Sequence, residues 1–254
     1  MKLFEVYEDM MFTEAWRKLE EVLQSELFQE EGDSKLDELL NLADLFIFKA
    51  FGINPTQKGK YFISGSARLF KHPTLLKVLH EFDSSFELVI GDLDVVVPGE
   101  KEWNNLKKNY LNTDSEYIKE VSQKIGKSPE EIKNAFLKQE GNWNKGIYRP
   151  GNGEGGMGLV NADVEAFTIW DPSRAKGAKD MSVRNQGEIL KDSVNIGGHY
   201  YMNIYDVFDY KSKLNREKEQ QIVEFLKQYL SGQETPQNAE RLFRQIGKVV
   251  GKKE

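Results

Sequence analysis

Residues 61–70 read YFISGSARLF and residues 86–99 read FELVIGDLDVVVPG. By pattern, residues 61–64 form a short apolar strand, and Gly65-Ser66 marks the point where it turns into a helix. A helix starting there exposes backbone N–H groups without intrahelical partners, together with the positive end of its dipole, and so suits a phosphate. Residues 86–97 alternate as one strand. Period-2 geometry puts Asp92 and Asp94 on one face and Val95 and Val97 on the other. Two carboxylates on one face repel each other and resist burial, so a divalent cation is their natural partner.

Working outward, the helix after Ser66 stops near Lys71, because Pro73 disfavours helix at His72. A second helix opens with Pro73 and carries Leu75, Leu76, Leu79 and Phe82 on its apolar face. Arg68 stands one turn beyond the Gly-Ser pair, where it reaches either a phosphate or a surface ion-pair partner. Residues 159–172 read LVNADVEAFTIWDP. Alternation sets Asn161, Asp163, Glu165 and Phe167 on one face and Val160, Ala162, Val164 and Ala166 on the other. Two acids inside a hydrophobic strand are costly unless something pairs with them.

This order of parts resembles the nucleotidyltransferase superfamily of DNA polymerase beta. That family's signature is a Gly-Ser pair opening a helix, an Asp-x-Asp on the next strand and a third acid on a later strand. Gly65-Ser66 and Asp92-Leu93-Asp94 match the first two parts, with a longer spacing that reads as one extra helix. The third acid is Glu165 or Asp163, and the aromatic-aliphatic run after Glu165 favours it slightly. The resemblance, covering about residues 59–230 with an interruption at 100–150, implies transfer of a nucleoside monophosphate from a nucleoside triphosphate such as ATP to a hydroxyl, with release of pyrophosphate. Asp92, Asp94 and the third acid would hold two Mg²⁺ ions, and Gly65 and Ser66 would hold the β- and γ-phosphates. Residues 205–219, YDVFDYKSKLNREKE, are similar to a lysine-bearing helix of small nucleotidyltransferases, with Glu217 or Glu219 where relatives carry Asp. Lys211 or Lys213 would then neutralise the triphosphate tail; otherwise both belong to a solvated helix face. The implied acceptor is RNA, a protein or a small molecule. The competing expectation is a catalytically silent nucleotidyltransferase-fold scaffold, an interaction protein or a nucleotide sensor.

Composition narrows the field. The chain has 254 residues, 39% hydrophobic and 30% charged, as in an ordinary globular protein. It has no apolar run long enough for a bilayer and no signal-peptide pattern, so no membrane partner is expected and a cytoplasmic location is the default. Cys is absent, and the three histidines, His72, His80 and His199, are scattered, which excludes disulfides and argues against zinc. A net charge of −6 gives no bulk attraction for nucleic acid.

The expected fold is α+β: a nucleotidyltransferase-like mixed sheet backed by helices. A helical N-terminal extension (1–58) precedes a core (59–175), which contains a helical insertion (100–150); a helical C-terminal domain (176–254) follows. The N-terminal helices, with Leu36, Leu39, Leu40, Ala43, Phe46 and Ile47 at helical spacing, pack on the core or receive a protein partner. In the insertion, Ser128-Pro129-Glu130-Glu131 is a capping box, with Ile132, Phe136 and Leu137 as the apolar side of its helix. The insertion is expected at the mouth of the site. The tract GNGEGGMG at 151–158 lacks the Lys-Ser/Thr of a nucleotide loop and reads as a hairpin turn or site loop. From Tyr205 onward the pattern is helical, ending on a helix with Leu242, Phe243, Ile246 and Val249.

Overall fold

A computed structural model describes residues 34–65, 67–68, 71, 87–89, 92–151, 155–160, 166–175, 186–203, 206–207 and 248–250. Its frame is a six-stranded mixed sheet of β1 (Phe62–Ser64), β3 (Asp92–Val96), β4 (Ile147–Tyr148), β5 (Ala166–Trp170), β6 (Val194–Ile196) and β7 (His199–Tyr201), in the order β4-β5-β3-β1-β7-β6. β3 runs antiparallel to β1 and parallel to β5, while β7 runs parallel to β1. A separate two-stranded sheet joins β2 (Glu87–Val89) to β8 (Lys248–Val250).

Alternation gives the central strands two unlike faces. Ile63, Leu93, Val95, Phe167, Ile169 and Tyr148 are essentially inaccessible and share one face. Helix α1 (Ser34–Ala43) supplies cover for the same core through Leu36, Leu39 and Ala43. It continues as a π-helical segment over Asp44–Lys49, and the wider turn puts four successive side chains, Leu45 to Phe48, into the core. Farther along, Phe51 meets the rings of Trp103 and Tyr148 edge-on at 5.1 and 5.7 Å.

The stretch read as an insertion is built into that core. It folds as α2 (Glu100–Leu111), α3 (Glu116–Ile125), α4 (Pro129–Lys138) and the short α5 (Glu140–Trp143). Trp103 is fully buried and donates from Nε1 to the carbonyl of Val97 at 2.9 Å, pinning α2 to the end of β3. Tyr110, Tyr117 and Tyr148 join their hydroxyls in a chain, 2.8 Å from Tyr117 to Tyr110 and 2.5 Å between Tyr110 and Tyr148. Burial pushes the Tyr110 phenol up to about 12, and those of Tyr117 and Tyr148 well above their ordinary value. The capping box forms as read: Ser128 Oγ accepts from the Glu131 N–H, and Glu131 accepts from the Ser128 N–H, with Pro129 opening the helix. Those hydrogen bonds to Ser128 hold the Glu131 carboxyl below its usual range. Ile132 and Phe136 are buried, but Leu137 is 39% exposed and lies off the apolar side.

Three expectations are corrected. Residues 86–97 are not one strand: β2 and β3 lie in different sheets, and Gly91, the poorest strand former of the run, falls between them. The last third is not helical throughout. Val194–Ile196 and His199–Tyr201 form an antiparallel hairpin around Gly197-Gly198, both at positive φ, as a two-residue hairpin turn demands. That hairpin enters the main sheet through β7, and Val249 sits in β8 rather than on a helix. Helical residues do occur at Gln186–Asp192 (α6) and at Asp206 and Val207. No helix among the described residues is long and apolar enough to cross a membrane.

Candidate functional site

β3, which bears Asp92 and Asp94, runs between β1, followed directly by Gly65, and β5, which opens at Ala166 just after Asp163 and Glu165 in the sequence. Register fixes the neighbours: Asp94 faces Ser64 of β1 on one side and Thr168 of β5 on the other, and Asp92 pairs with Ala166. Asp94 lies on the face opposite Leu93 and Val95, beside the buried Ser64 and Val96. Asp94 and Thr168 are half-buried, whereas Ser64 is buried.

Gly65 follows β1 directly at φ +71°, a left-handed conformation that suits glycine. A Cβ at this position would stand 3.3 Å from Asp94 Oδ2, so the carboxylate lies against the bare glycine turn. Ala67 and Arg68 just beyond are helical, and the Lys71 N–H donates to the Ala67 carbonyl at 3.3 Å, closing a turn there. The Gly65 turn and the Asp94 carboxylate are therefore close neighbours.

Arg68 is 1% exposed, within the fold rather than on its surface, and donates from Nη1 to the Lys71 carbonyl at 3.4 Å. Burial and then Tyr61 push the Tyr201 phenol well above its ordinary value, and the charge of Arg68 acts in the other direction. Arg68 thus stands inside the fold, with its charge acting on Tyr201.

The helical stretch 100–143 does not sit over Asp94. Its aromatic residues meet Tyr148, whose face is that of Val95 and Ile169, and α2 departs from the Val97 end of β3. A polar depression lined by Gln57, Lys60, Lys101 and Glu102 lies at that far end, where Lys60 Nζ holds Glu102 Oε1 at 3.0 Å. The glycine tract is closed by hydrogen bonds from Met157 N–H to the Arg149 carbonyl (2.9 Å) and from Gly158 N–H to the Gly151 carbonyl (3.1 Å). Side chains of the helical stretch grip it from outside: Lys127 Nζ donates to the Gly158 carbonyl at 2.8 Å, and Gln139 Nε2 to that of Gly156 at 3.3 Å.

Several sequence-read site residues, namely Ser66, Asp163, Glu165, Lys211 and Lys213, fall outside the described residues, as do His72 and His80. His199 packs against the Phe48 ring at 5.4 Å, with Asp44 Oδ1 3.5 Å from its Nε2. Among the described residues no group of three or more His, Cys, Asp or Glu side chains converges. Ser64 and Thr168, the flanking hydroxyl residues, were not singled out by pattern. Their place beside Asp94 depends on strand register, which a single strand's alternation does not carry. Comparison with protein-family models, with characterised proteins and with solved structures finds no match to this chain.

Proposed function

We propose that the protein is a metal-dependent nucleotidyltransferase that moves a nucleoside monophosphate from a nucleoside triphosphate to an acceptor hydroxyl. The observation that carries this reading is the Asp94 carboxylate set against the bare Gly65 turn, at the point where β1 passes into helical backbone. The reading takes a hard divalent cation as the partner of the Asp94 carboxylate beside the Gly65 turn, with Asp92 two positions earlier in the sequence. Magnesium bound there would neutralise phosphate charge and orient the entering and leaving oxygens.

The chain's own groups have defined tasks in this reading. Asp92 and Asp94 supply the ligands. The amides at Gly65 and Ser66 cradle the β- and γ-phosphates. Glu165 or Asp163, on the segment leading into Ala166 beside Asp92, accepts the proton of the attacking hydroxyl. The new bond joins the acceptor oxygen to the α-phosphorus, the bond from that phosphorus to the bridging oxygen breaks, and pyrophosphate leaves. Positioning and charge neutralisation are sufficient for such chemistry. Lys211 or Lys213 belongs to the same reading as the cation on the triphosphate tail. Asp94→Asn tests it: metal-dependent nucleotide binding, followed calorimetrically with ATP and Mg²⁺, is lost while the melting midpoint holds. Unchanged binding in the variant would refute the site.

A second reading, a silent scaffold or nucleotide sensor, is favoured by one observation. In β5 the residues on the face of Asp94 are Ala166, Thr168 and Trp170, while Phe167 and Ile169 are buried with Leu93 and Val95. The same alternation, carried backwards, assigns odd positions to the covered face. A third acid at 163 or 165 therefore has to depart from it. Pyrophosphate release with Glu165→Gln and Asp163→Asn separates the readings: nucleotide binding without release in the wild type leaves the sensor.

A further inference from the structure

The β6-β7 hairpin meets the N-terminal helical unit and its connector along a seam of neutral hydrogen bonds. The Tyr200 N–H donates to the Tyr61 hydroxyl at 3.1 Å, the Tyr61 hydroxyl donates to the Pro55 carbonyl at 2.9 Å, and the Tyr200 hydroxyl donates to the Thr56 carbonyl at 3.4 Å. One pair in this seam can carry opposite charges near neutral pH. His199, the first residue of β7, brings Nε2 to 3.5 Å from Asp44 Oδ1, where α1 passes into its π-helical continuation. The His199 ring lies 5.4 Å from that of Phe48, which packs on Tyr61 at 4.5 Å.

The contact is incomplete as it stands. Asp44 Oδ1 and both ring nitrogens of His199 are shut off from water without a hydrogen-bond partner, although the Asp44 side chain as a whole is 49% exposed and that of His199 14%. A neutral imidazole leaves the carboxylate oxygen facing a ring edge with no opposite charge. A protonated one presents an N–H to it, and a hydrogen bond between charged partners is the stronger kind. Neighbouring charges of the helical unit are engaged elsewhere: Asp37 Oδ1 lies 3.5 Å from Lys71 Nζ, and Lys49 Nζ is held by Glu120 Oε1 at 2.6 Å. Burial pushes the Tyr61 phenol well above its ordinary value, and the Asp44 charge acts in the same direction, so this phenol stays neutral. We propose that His199 and Asp44 form a proton-controlled fastener between the hairpin and the helical unit, closed when the imidazole is protonated and slack when it is neutral. The hairpin so held is the one whose β7 pairs with β1 at Ile63, two residues before the Gly65 turn. Its contribution is present on the acid side, where an imidazole beside a carboxylate carries its proton, and is lost as the pH rises.

The test follows amide exchange of the hairpin, Asn195 to Tyr201, at about pH 5.5 and about pH 8, corrected for intrinsic rates. Wild type is compared with Asp44→Asn, His199→Gln and the double variant. At the lower pH, Asp44→Asn is expected to reduce hairpin protection roughly two- to fivefold, the size of a partly exposed ion pair, with the double variant no worse than His199→Gln. The loss disappears at the higher pH, and at the lower pH it shrinks in about 1 M salt. Asp44→Asn separates this pair from the chain's other two histidines, which both proteins share. Equal losses at the two pH values would mean a neutral contact and overturn the proposal, and so would a loss confined to the higher pH or none at either. Should His199→Gln fail to fold, wild type alone still decides: hairpin protection that does not rise between the higher and the lower pH overturns it.

Discussion

Gly65→Ala should damage this protein in two separable ways. Its φ of +71° costs an L-residue about 1–2 kcal/mol in backbone strain. For a chain of this size each kcal/mol lowers the melting midpoint by about 2–4 °C, so a fall of roughly 2–8 °C is expected. The second effect is local: the new Cβ would sit 3.3 Å from Asp94 Oδ2, tighter than an ordinary contact, and the carboxylate has to swing aside. Gly59→Ala provides the control, because Gly59 has φ +84° and nothing within 4 Å of its would-be Cβ. Both variants should lose similar stability by differential scanning calorimetry. Only Gly65→Ala should weaken Mg²⁺-dependent ATP binding, by roughly tenfold or more, which corresponds to about 1.4 kcal/mol. If the two variants bind nucleotide alike, the contact between the glycine turn and Asp94 has no part in ligand binding. If Gly65→Ala does not lower the midpoint, the left-handed turn itself is wrong.

Tyr148→Phe removes a hydroxyl partner of Tyr110 in a sealed core and leaves a buried polar group short of a hydrogen bond, so it should cost about 1–3 kcal/mol in urea unfolding, with Tyr117→Phe losing the bond that Tyr117 donates to Tyr110. The same phenols should make the protein alkali-sensitive. Their folded pKa values are raised, so the unfolded state loses protons first, and stability present below about pH 10 falls as pH rises through about 12; 295 nm absorbance should show these tyrosines ionising only with unfolding. Ser128→Ala should let the Glu131 carboxyl return towards its usual value, as read by an NMR titration, since the bonds to Ser128 are what hold it down.

What was legible in the sequence was local. The box at Ser128 to Glu131 needs only four consecutive residues and one helix start, and it forms as read. The two-faced character of Asp92 to Val96 needs only alternation, and the burial of Leu93 and Val95 follows it. The pairing of Glu87–Val89 with Lys248–Val250 joins segments some 160 positions apart, and no local pattern encodes that partner. The Gly197-Gly198 hairpin was legible: β-formers flank a two-residue glycine turn, but helical periodicity from Tyr205 onward drew the boundary too early. The polar composition of 100–150 hid a buried aromatic set, because Trp103 and Tyr110 on α2, Tyr117 on α3 and Phe136 on α4 stand among exposed lysines and glutamates and meet only once the helices pack.

Fold and candidate site are decided by the same alternation. α1, its π-helical continuation and α2 to α5 all bury their apolar sides against the core that holds Ile63, Val95, Ile169 and Tyr148. An acid at any of those positions would lose its hydration without gaining a partner, a cost of several kcal/mol. On the middle strand the carboxylates fall at 92 and 94, and Asp94 is half-buried where Leu93 and Val95 are fully buried. The rule applies equally to β5, where Thr168 is the residue that the face of Asp94 permits beside it. On the nucleotidyltransferase reading, a third carboxylate would have to come from the sequence before Ala166, where β5 begins. On that argument the distance from an acid to the first paired residue of β5 matters more than its place in a hydrophobic pattern. Shifting the acid by one residue, with Glu165 and Val164 exchanged, should change pyrophosphate release sharply while leaving the buried row of Phe167 and Ile169 intact.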